Sequence, residues 1–161
     1  MLNTNLCYLL KDNKILLGMK KRGFGEGKWN GYGGKKEPNE TIEEATVREL
    51  HEEAGMKVAV EHLDKVGEID FFFTNAPEGK NWDQTVHIFF AREWQGEAKE
   101  TEEMKPQWFE TEKIPINNMW ADDPHWLPEV IKGKRVKAQF TFGETSDIIL
   151  KKNVEFINKF D

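Results

Sequence analysis

Three carboxylates stand close together in Arg48-Glu49-Leu50-His51-Glu52-Glu53. Glu49, Glu52 and Glu53 are related by steps of three and four, so on a helix they share one side, within an arc of roughly 100°. Like charges at that spacing repel by a few tenths of a kcal/mol, about 0.2–0.5 per pair. A hard divalent cation reverses the sign of that interaction, because Mg²⁺ takes oxygen ligands in an octahedron. A solvated acidic face is the ordinary explanation for three such glutamates. The segment before them argues for chemistry. Gly33-Gly34 precede, and Glu40 stands at the mouth of the expected helix.

The helix that must carry these carboxylates has clear ends. Thr41 followed by Glu44 has the form of a capping box, and Gly55 supplies the stop. Val47, Leu50 and Ala54 recur at helical spacing and form its expected apolar stripe, opposite the carboxylates. Upstream, Leu6-Cys7-Tyr8-Leu9-Leu10 and Ile15-Leu16-Leu17-Gly18-Met19 flank Asp12-Asn13 and predict a strand pair with a tight turn. Residues 22–34 contain Gly23, Gly25, Gly27, Gly31, Gly33 and Gly34, with Phe24, Trp29 and Tyr32 between them. That composition predicts a ligand-facing loop rather than a core element. Strands are expected over Val66–Phe73, Thr85–Trp94, Gln107–Glu110 and Val136–Phe142, with a polar loop at 74–84. A second helix is expected over Pro124–Lys132, capped by Asp122 or Asp123 and ended by Gly133. The tail from Ile148 to Phe160 fits strand and helix equally. Strands and helices mixed in this order predict an α/β sandwich.

Composition narrows the partners. The chain has 161 residues, with 23 Lys and Arg against 29 Asp and Glu, a net charge of -6. A net acidic chain is a poor general partner for nucleic acid, so any phosphate must be held locally, by a few cations or a metal. No apolar run approaches the length of a membrane span. The start, Met1-Leu2-Asn3-Thr4-Asn5, lacks the pattern of a secretory signal. Cys7 is the single cysteine, which excludes an intrachain disulfide and predicts a small core residue. Neither repeats nor linker-like tracts interrupt the sequence, so a single domain over 1–161 is expected.

The spacing Gly34, five residues, Glu40, seven residues, Arg48-Glu49-Leu50, one residue, Glu52-Glu53, one residue, Gly55-Met56 resembles the Nudix box at every defined position. The resemblance implies a Nudix α/β/α sandwich with a mixed sheet and a loop-helix-loop metal site. It implies hydrolysis of a phosphoanhydride in a nucleoside diphosphate-containing substrate, with Mg²⁺ as cofactor and Mn²⁺ as its substitute. Glu49, Glu52 and Glu53 would hold the metal, with a backbone carbonyl of Gly33 or Gly34. Arg48 and Glu40 would orient them. One carboxylate would serve as general base.

Segments outside the box resemble the MutT-type branch that removes oxidised purine nucleoside triphosphates such as 8-oxo-dGTP. They are Leu17 to Gly25, Trp29-Asn30-Gly31, Glu103-Met104 with Pro106, Trp108 and Phe109, and Ile114-Pro115. Met119-Trp120, Asp122-Asp123, Trp126 and Pro128 continue the likeness. By that resemblance Asn30, Asp122 and Asp123 would read the purine, while Trp120 and Phe24 would pack on it. Phe71 would match an aromatic pocket residue, Lys20 would lie near the entry, and Glu103 would add a carboxylate to the metal centre. Asn5 stands where the branch has threonine at the pocket, and Ala121 where it has proline. The pocket-facing residue of the 74–84 loop is Trp82, Asp83 or Gln84.

The implied activity sanitises the nucleotide pool, releasing nucleoside monophosphate and pyrophosphate. The other readings are a Nudix hydrolase of dinucleoside polyphosphates, sugar nucleotides or capped RNA, and a non-catalytic nucleotide sensor. The chain is expected to be a cytoplasmic monomer whose partner is a small nucleotide, with neither nucleic acid nor membrane involved.

Overall fold

A computed structural model describes residues 1–160. Strands β1 (Leu2–Lys11) and β2 (Lys14–Lys20) form the expected hairpin. Asp12 and Asn13 both take positive φ, 54° and 62°, as a two-residue turn between twisted strands requires. The glycine-rich segment then contributes a two-residue strand, β3 (Trp29–Asn30), against Gly18 and Met19 of β2. Its continuation bonds to β1, with the Cys7 and Tyr32 backbones exchanging N–H···O bonds. Contrary to expectation, part of this segment is core: Trp29 and Tyr32 are buried. The Tyr32 ring fills the space beside Gly18 of β2, and the Trp29 ring packs edge-on against Phe109 at 5.0 Å.

Helix α1 (Ile42–Ala54) has the predicted ends. The Thr41 hydroxyl accepts from the Glu44 N–H, the Glu44 carboxylate accepts from the Thr41 N–H, and Gly55 closes the helix at φ 73°. Thr41→Ala should therefore destabilise the protein by about 1 kcal/mol, read as a lowered denaturant midpoint at unchanged slope. The buried stripe differs from the expected one. It comprises Ala45, Thr46, Leu50 and Ala54, while Val47 is only half-buried. The carboxylate arc consequently flanks the buried face instead of opposing it, and Glu53 lies partly inside.

Next come β4 (Asp64–Phe73), β5 (Gln84–Ala91), β6 (Met104–Glu110), α2 (Asp123–Ile131), β7 (Arg135–Phe142) and β8 (Ile149–Ile157). β5 stops at Ala91, short of the predicted Trp94, and the ambiguous tail is a strand. The sheet runs β3-β2-β1-β5-β4-β7-β8, with β6 on the free side of β2. It is mixed: β1 and β5 pair in parallel, as do β4 and β7, while the other pairs are antiparallel.

Alternation along β1 separates two cores. Tyr8 and Leu10 pack with Trp126, Leu127 and Val130 of α2. Cys7 and Leu9 pack with Leu50 and Ala54 of α1. The helices thus cover opposite faces, completing the sandwich. Cys7 is buried, and burial pushes its thiol up to about 12, which leaves it inert at neutral pH. Among the described residues no helix is long and apolar enough to cross a membrane.

Candidate active site

The box residues meet where α1 passes Gly33-Gly34. A Cβ on Gly33 would lie 1.7 Å from the Asn5 carbonyl oxygen, and one on Gly34 would lie 2.5 Å from the Glu49 carboxyl carbon. Both positions therefore require glycine for close approach. The Gly33 N–H donates to Glu53 Oε1 at 2.9 Å. The Gly34 carbonyl accepts from the backbone N–H of Asn5 at 3.0 Å and from its Nδ2 at 3.1 Å. With both lone pairs of Gly34 engaged, the Gly33 carbonyl is the freer of the two.

Arg48 organises this end of the helix. Its Nε and Nη2 grip the two Glu40 oxygens at 3.0 and 2.7 Å, and Nη2 also donates to the Lys35 carbonyl at 3.0 Å. Its Nη1 reaches Glu49 at 3.0 Å and Glu52 at 3.3 Å. The bidentate bond from Arg48 pulls Glu40 down to about 2. Glu53 moves the other way. Burial, then the neighbouring Glu49 charge, push it up to about 7, against the opposing Gly33 N–H and Lys20.

Glu52 is exposed, and Glu103 pairs with Arg22 at 3.3 Å on the surface. Among the described residues no three His, Cys, Asp or Glu side chains are gathered as a metal-holding cluster. Glu49 and Glu53 are brought to the glycine pair, while Glu52 and Glu103 lie at its margin.

A cavity of about 330 Å³ opens from Glu53. Asn5, Lys20, Phe24, Asn30, Phe71, Trp120, Asp122 and Asp123 all line it, together with Gly33 and Gly34. Its far end is polar. Asn30 Oδ1 accepts from the Tyr8 hydroxyl at 3.0 Å and from the Gly31 N–H at 2.8 Å. The amide is thereby fixed with its NH₂ as the free end, a donor only.

Asp122 and Asp123 are buried. Asp122 stands at the head of α2, but its side chain makes no capping bond. Its Oδ2 accepts from Trp126 Nε1 at 2.8 Å instead. Asp123 Oδ2 is buried without a partner among the described residues. Burial raises both acids, and the Asp122 charge raises Asp123 further. Two carboxyls buried side by side disfavour double ionisation, so the pair favours sharing one proton, and the indole bond favours the charge on Asp122.

The walls are aromatic. Phe24 is half exposed, with ring centroids 5.1 Å from both Trp120 and Trp82 and 6.0 Å from Phe73. Phe71 stacks on Phe142 at 5.7 Å. Of the three candidates in the 74–84 loop, Gln84 faces the cavity, where it accepts from Thr4 Oγ1 at 2.9 Å. Asp83 instead accepts from the Phe73 N–H at 2.9 Å, and Trp82 covers Phe24. Lys20 lines the cavity, whereas Lys21 pairs with Glu100 and Arg22 with Glu102 and Glu103.

Sequence reasoning missed Thr4, Lys28, Phe73 and Phe142. Lys28 Nζ sits 5.8 Å from the Trp120 ring centroid and 3.2 Å from Asp147. Its place between Gly27 and Trp29 in the glycine segment was the available signal. Phe73 and Phe142 end parallel strands side by side, a pairing that no local pattern reveals.

Known proteins share this chain's sequence pattern and fold. The NUDIX domain model matches residues 2–130. The chain is 45% identical over 150 residues to an oxidized purine nucleoside triphosphate hydrolase of Danio rerio, covering 93% of this chain and 92% of that protein. It is 43% identical over 155 residues to the mouse (Mus musculus) protein of the same name, covering 96% and 95%. The MutT protein of Bacillus halodurans shares the fold, with a TM-score of 0.77 at 24% identity over 96% of this chain and 98% of that one. The box geometry and the match over most of its length place this chain in the Nudix family.

Proposed function

We propose that this chain hydrolyses oxidised purine nucleoside triphosphates, 8-oxo-dGTP and 2-hydroxy-dATP among them, to nucleoside monophosphate and pyrophosphate. One observation carries the reading. A single cavity joins a purine-reading end, built from Asn30, Asp122 and Asp123, to the box carboxylate Glu53. The names of the 45% and 43% identical relatives support the same substrate class.

The donor set suits a hard divalent cation. Glu49 and Glu53 approach one another against the glycine pair, and burial, then the Glu49 charge, make Glu53 hold its proton to about 7. Nudix hydrolases generally use Mg²⁺ or Mn²⁺. Here Glu49, Glu53 and the Gly33 carbonyl would hold the ion, with Glu52 and Glu103 within reach from the margin. When bound, it supplies charge screening for the polyphosphate and a more acidic water.

The protein's own residues do the rest. Asn30 donates to a purine carbonyl; an oxidised purine carries one more such oxygen than its parent. Neutral Asp123 donates to a ring acceptor, and Asp122 accepts from a ring or exocyclic N–H. Trp120 offers a stacking face, worth about 1–3 kcal/mol per base in comparable platforms. The Arg48 fork fixes Glu49 and Glu52. A box carboxylate takes the proton of the attacking water as one P–O bond forms and the anhydride P–O bond breaks. Pyrophosphate is the leaving group.

A substrate panel with product identification tests this. The expected result is kcat/KM highest for 8-oxo-dGTP and 2-hydroxy-dATP, absolute dependence on added Mg²⁺ or Mn²⁺, and loss of activity in chelator. Melting temperature should rise with metal, since an ion bound only by the folded state stabilises it. Turnover confined to sugar nucleotides, dinucleoside polyphosphates or capped RNA would overturn the base assignment. Tight nucleotide binding without turnover would make the protein a sensor.

A further inference from the structure

Tyr32 carries a buried hydroxyl with no hydrogen-bonding partner among the described residues. Its ring belongs to the core layer under α1, with Cys7, Leu16 and Leu50. Leaving a buried donor unpaired is unfavourable, and phenylalanine would fill the same space without it. Such an atom in a native site calls for an explanation.

Its position supplies one. A Cβ on Gly18 would come within 2.9 Å of Tyr32 Cζ and 3.1 Å of its hydroxyl. Gly18, Met104 and Glu53 all line the active-site cavity, so the phenol tip lies just behind the cavity wall at Gly18. Tyr32 also directly precedes Gly33, whose N–H is the only hydrogen-bond donor that Glu53 receives among the described residues. One Glu53 oxygen is therefore without a protein donor. Burial, then the Glu53 charge, hold the phenol well above its ordinary range, so it remains a donor at any working pH.

We infer that Tyr32 is a positioning residue for Glu53: its phenol donates through one bridging water to the free carboxylate oxygen and keeps that carboxylate aimed at the cavity. This inference rests on the reading of Glu53 as a metal-holding carboxylate. Donors behind a metal-holding side chain fix its orientation, and removing one typically costs roughly ten- to a hundredfold in metal affinity or activity.

The test is Tyr32→Phe in the full chain. Three quantities are measured: melting temperature without metal, Mn²⁺ affinity of the nucleotide-free protein by calorimetry, and kcat and KM for 8-oxo-dGTP. The expected result is a melting temperature equal to or above wild type, Mn²⁺ binding weakened roughly tenfold, and kcat lowered by roughly ten- to a hundredfold. KM for the nucleotide should not change. Wild-type Mn²⁺ affinity and kcat in the variant would overturn the inference. So would a lowered melting temperature with weakened binding, which marks a packing residue. If the wild-type protein itself fails to turn over oxidised purine triphosphates, the functional reading falls, while the Mn²⁺ measurement still decides the role of Tyr32.

Discussion

Glu53→Gln should lower kcat by about a thousandfold or more, within the range for losing an acid–base group, and leave the fold intact. The carboxylate is held against Gly33 by a 2.9 Å bond to the loop N–H, and the amide can accept that bond equally well. The amide cannot supply the negative charge that a cation needs, nor take a proton from water. Near-normal turnover at moderate Mg²⁺ would remove Glu53 from the mechanism.

Stability gives an independent reading of the same variant. Burial holds Glu53 protonated up to about 7 in the folded protein, above the ordinary glutamate range of the unfolded chain. The folded state thus binds this proton more tightly. Its contribution to stability is fully present at acid pH and is lost as pH rises through about 7. In chelator, wild type should lose melting temperature over that window relative to Glu53→Gln. Parallel pH profiles for the two proteins would show that Glu53 is not desolvated.

Asp122→Asn should lower kcat/KM for purines that present a donor to this position by roughly ten- to a hundredfold, the effect of an unmatched buried group. Asp123→Asn should be milder. The difference follows from where the proton sits. Asp122 accepts from the Trp126 indole at 2.8 Å, and an asparagine must keep its oxygen there. Its NH₂ then stands where wild type offers an acceptor. Neutral Asp123 is already a donor, a role that an amide can fill. The measurement is kcat/KM for 8-oxo-dGTP, 2-hydroxy-dATP and dGTP in wild type and both variants, with melting temperatures alongside. Equal losses for all three nucleotides would remove the pair from base recognition.

Much of this was legible in the sequence because it is local. The α1 caps depend on Thr41, Glu44 and Gly55 alone, and a helix end is satisfied by its own neighbours. The Asp12-Asn13 turn is local in the same way. Where sequence reasoning went astray, tertiary packing had overruled local pattern. Val47 has the right spacing for the buried stripe. Yet α1 rolls so that Thr46 goes inside and Glu53 meets Gly33, because the closest approach of helix to loop occurs at the two glycines. Glycine content suggested an open loop at 22–34, but Trp29 and Tyr32 turn inward once that segment pairs with β1 and β2.

By itself the sequence determined the family, the helix that carries the carboxylates and the residue types of both ends of the cavity. These are properties of fixed spacing along one chain. Only the tertiary structure decided their chemical states. Asn30 becomes a pure donor because Tyr8 and Gly31 occupy its oxygen. Asp122, one of the two candidate helix caps, is instead an acceptor because Trp126 claims one of its oxygens, and the pair favours a shared proton because both acids are buried side by side. Glu53 is poised near neutrality because α1 carries it into the loop, and Gln84, not Trp82 or Asp83, faces the cavity because it begins β5. Hydrogen-bond polarity and protonation depend on groups distant in sequence, so they exist only once the sheet has brought those groups together.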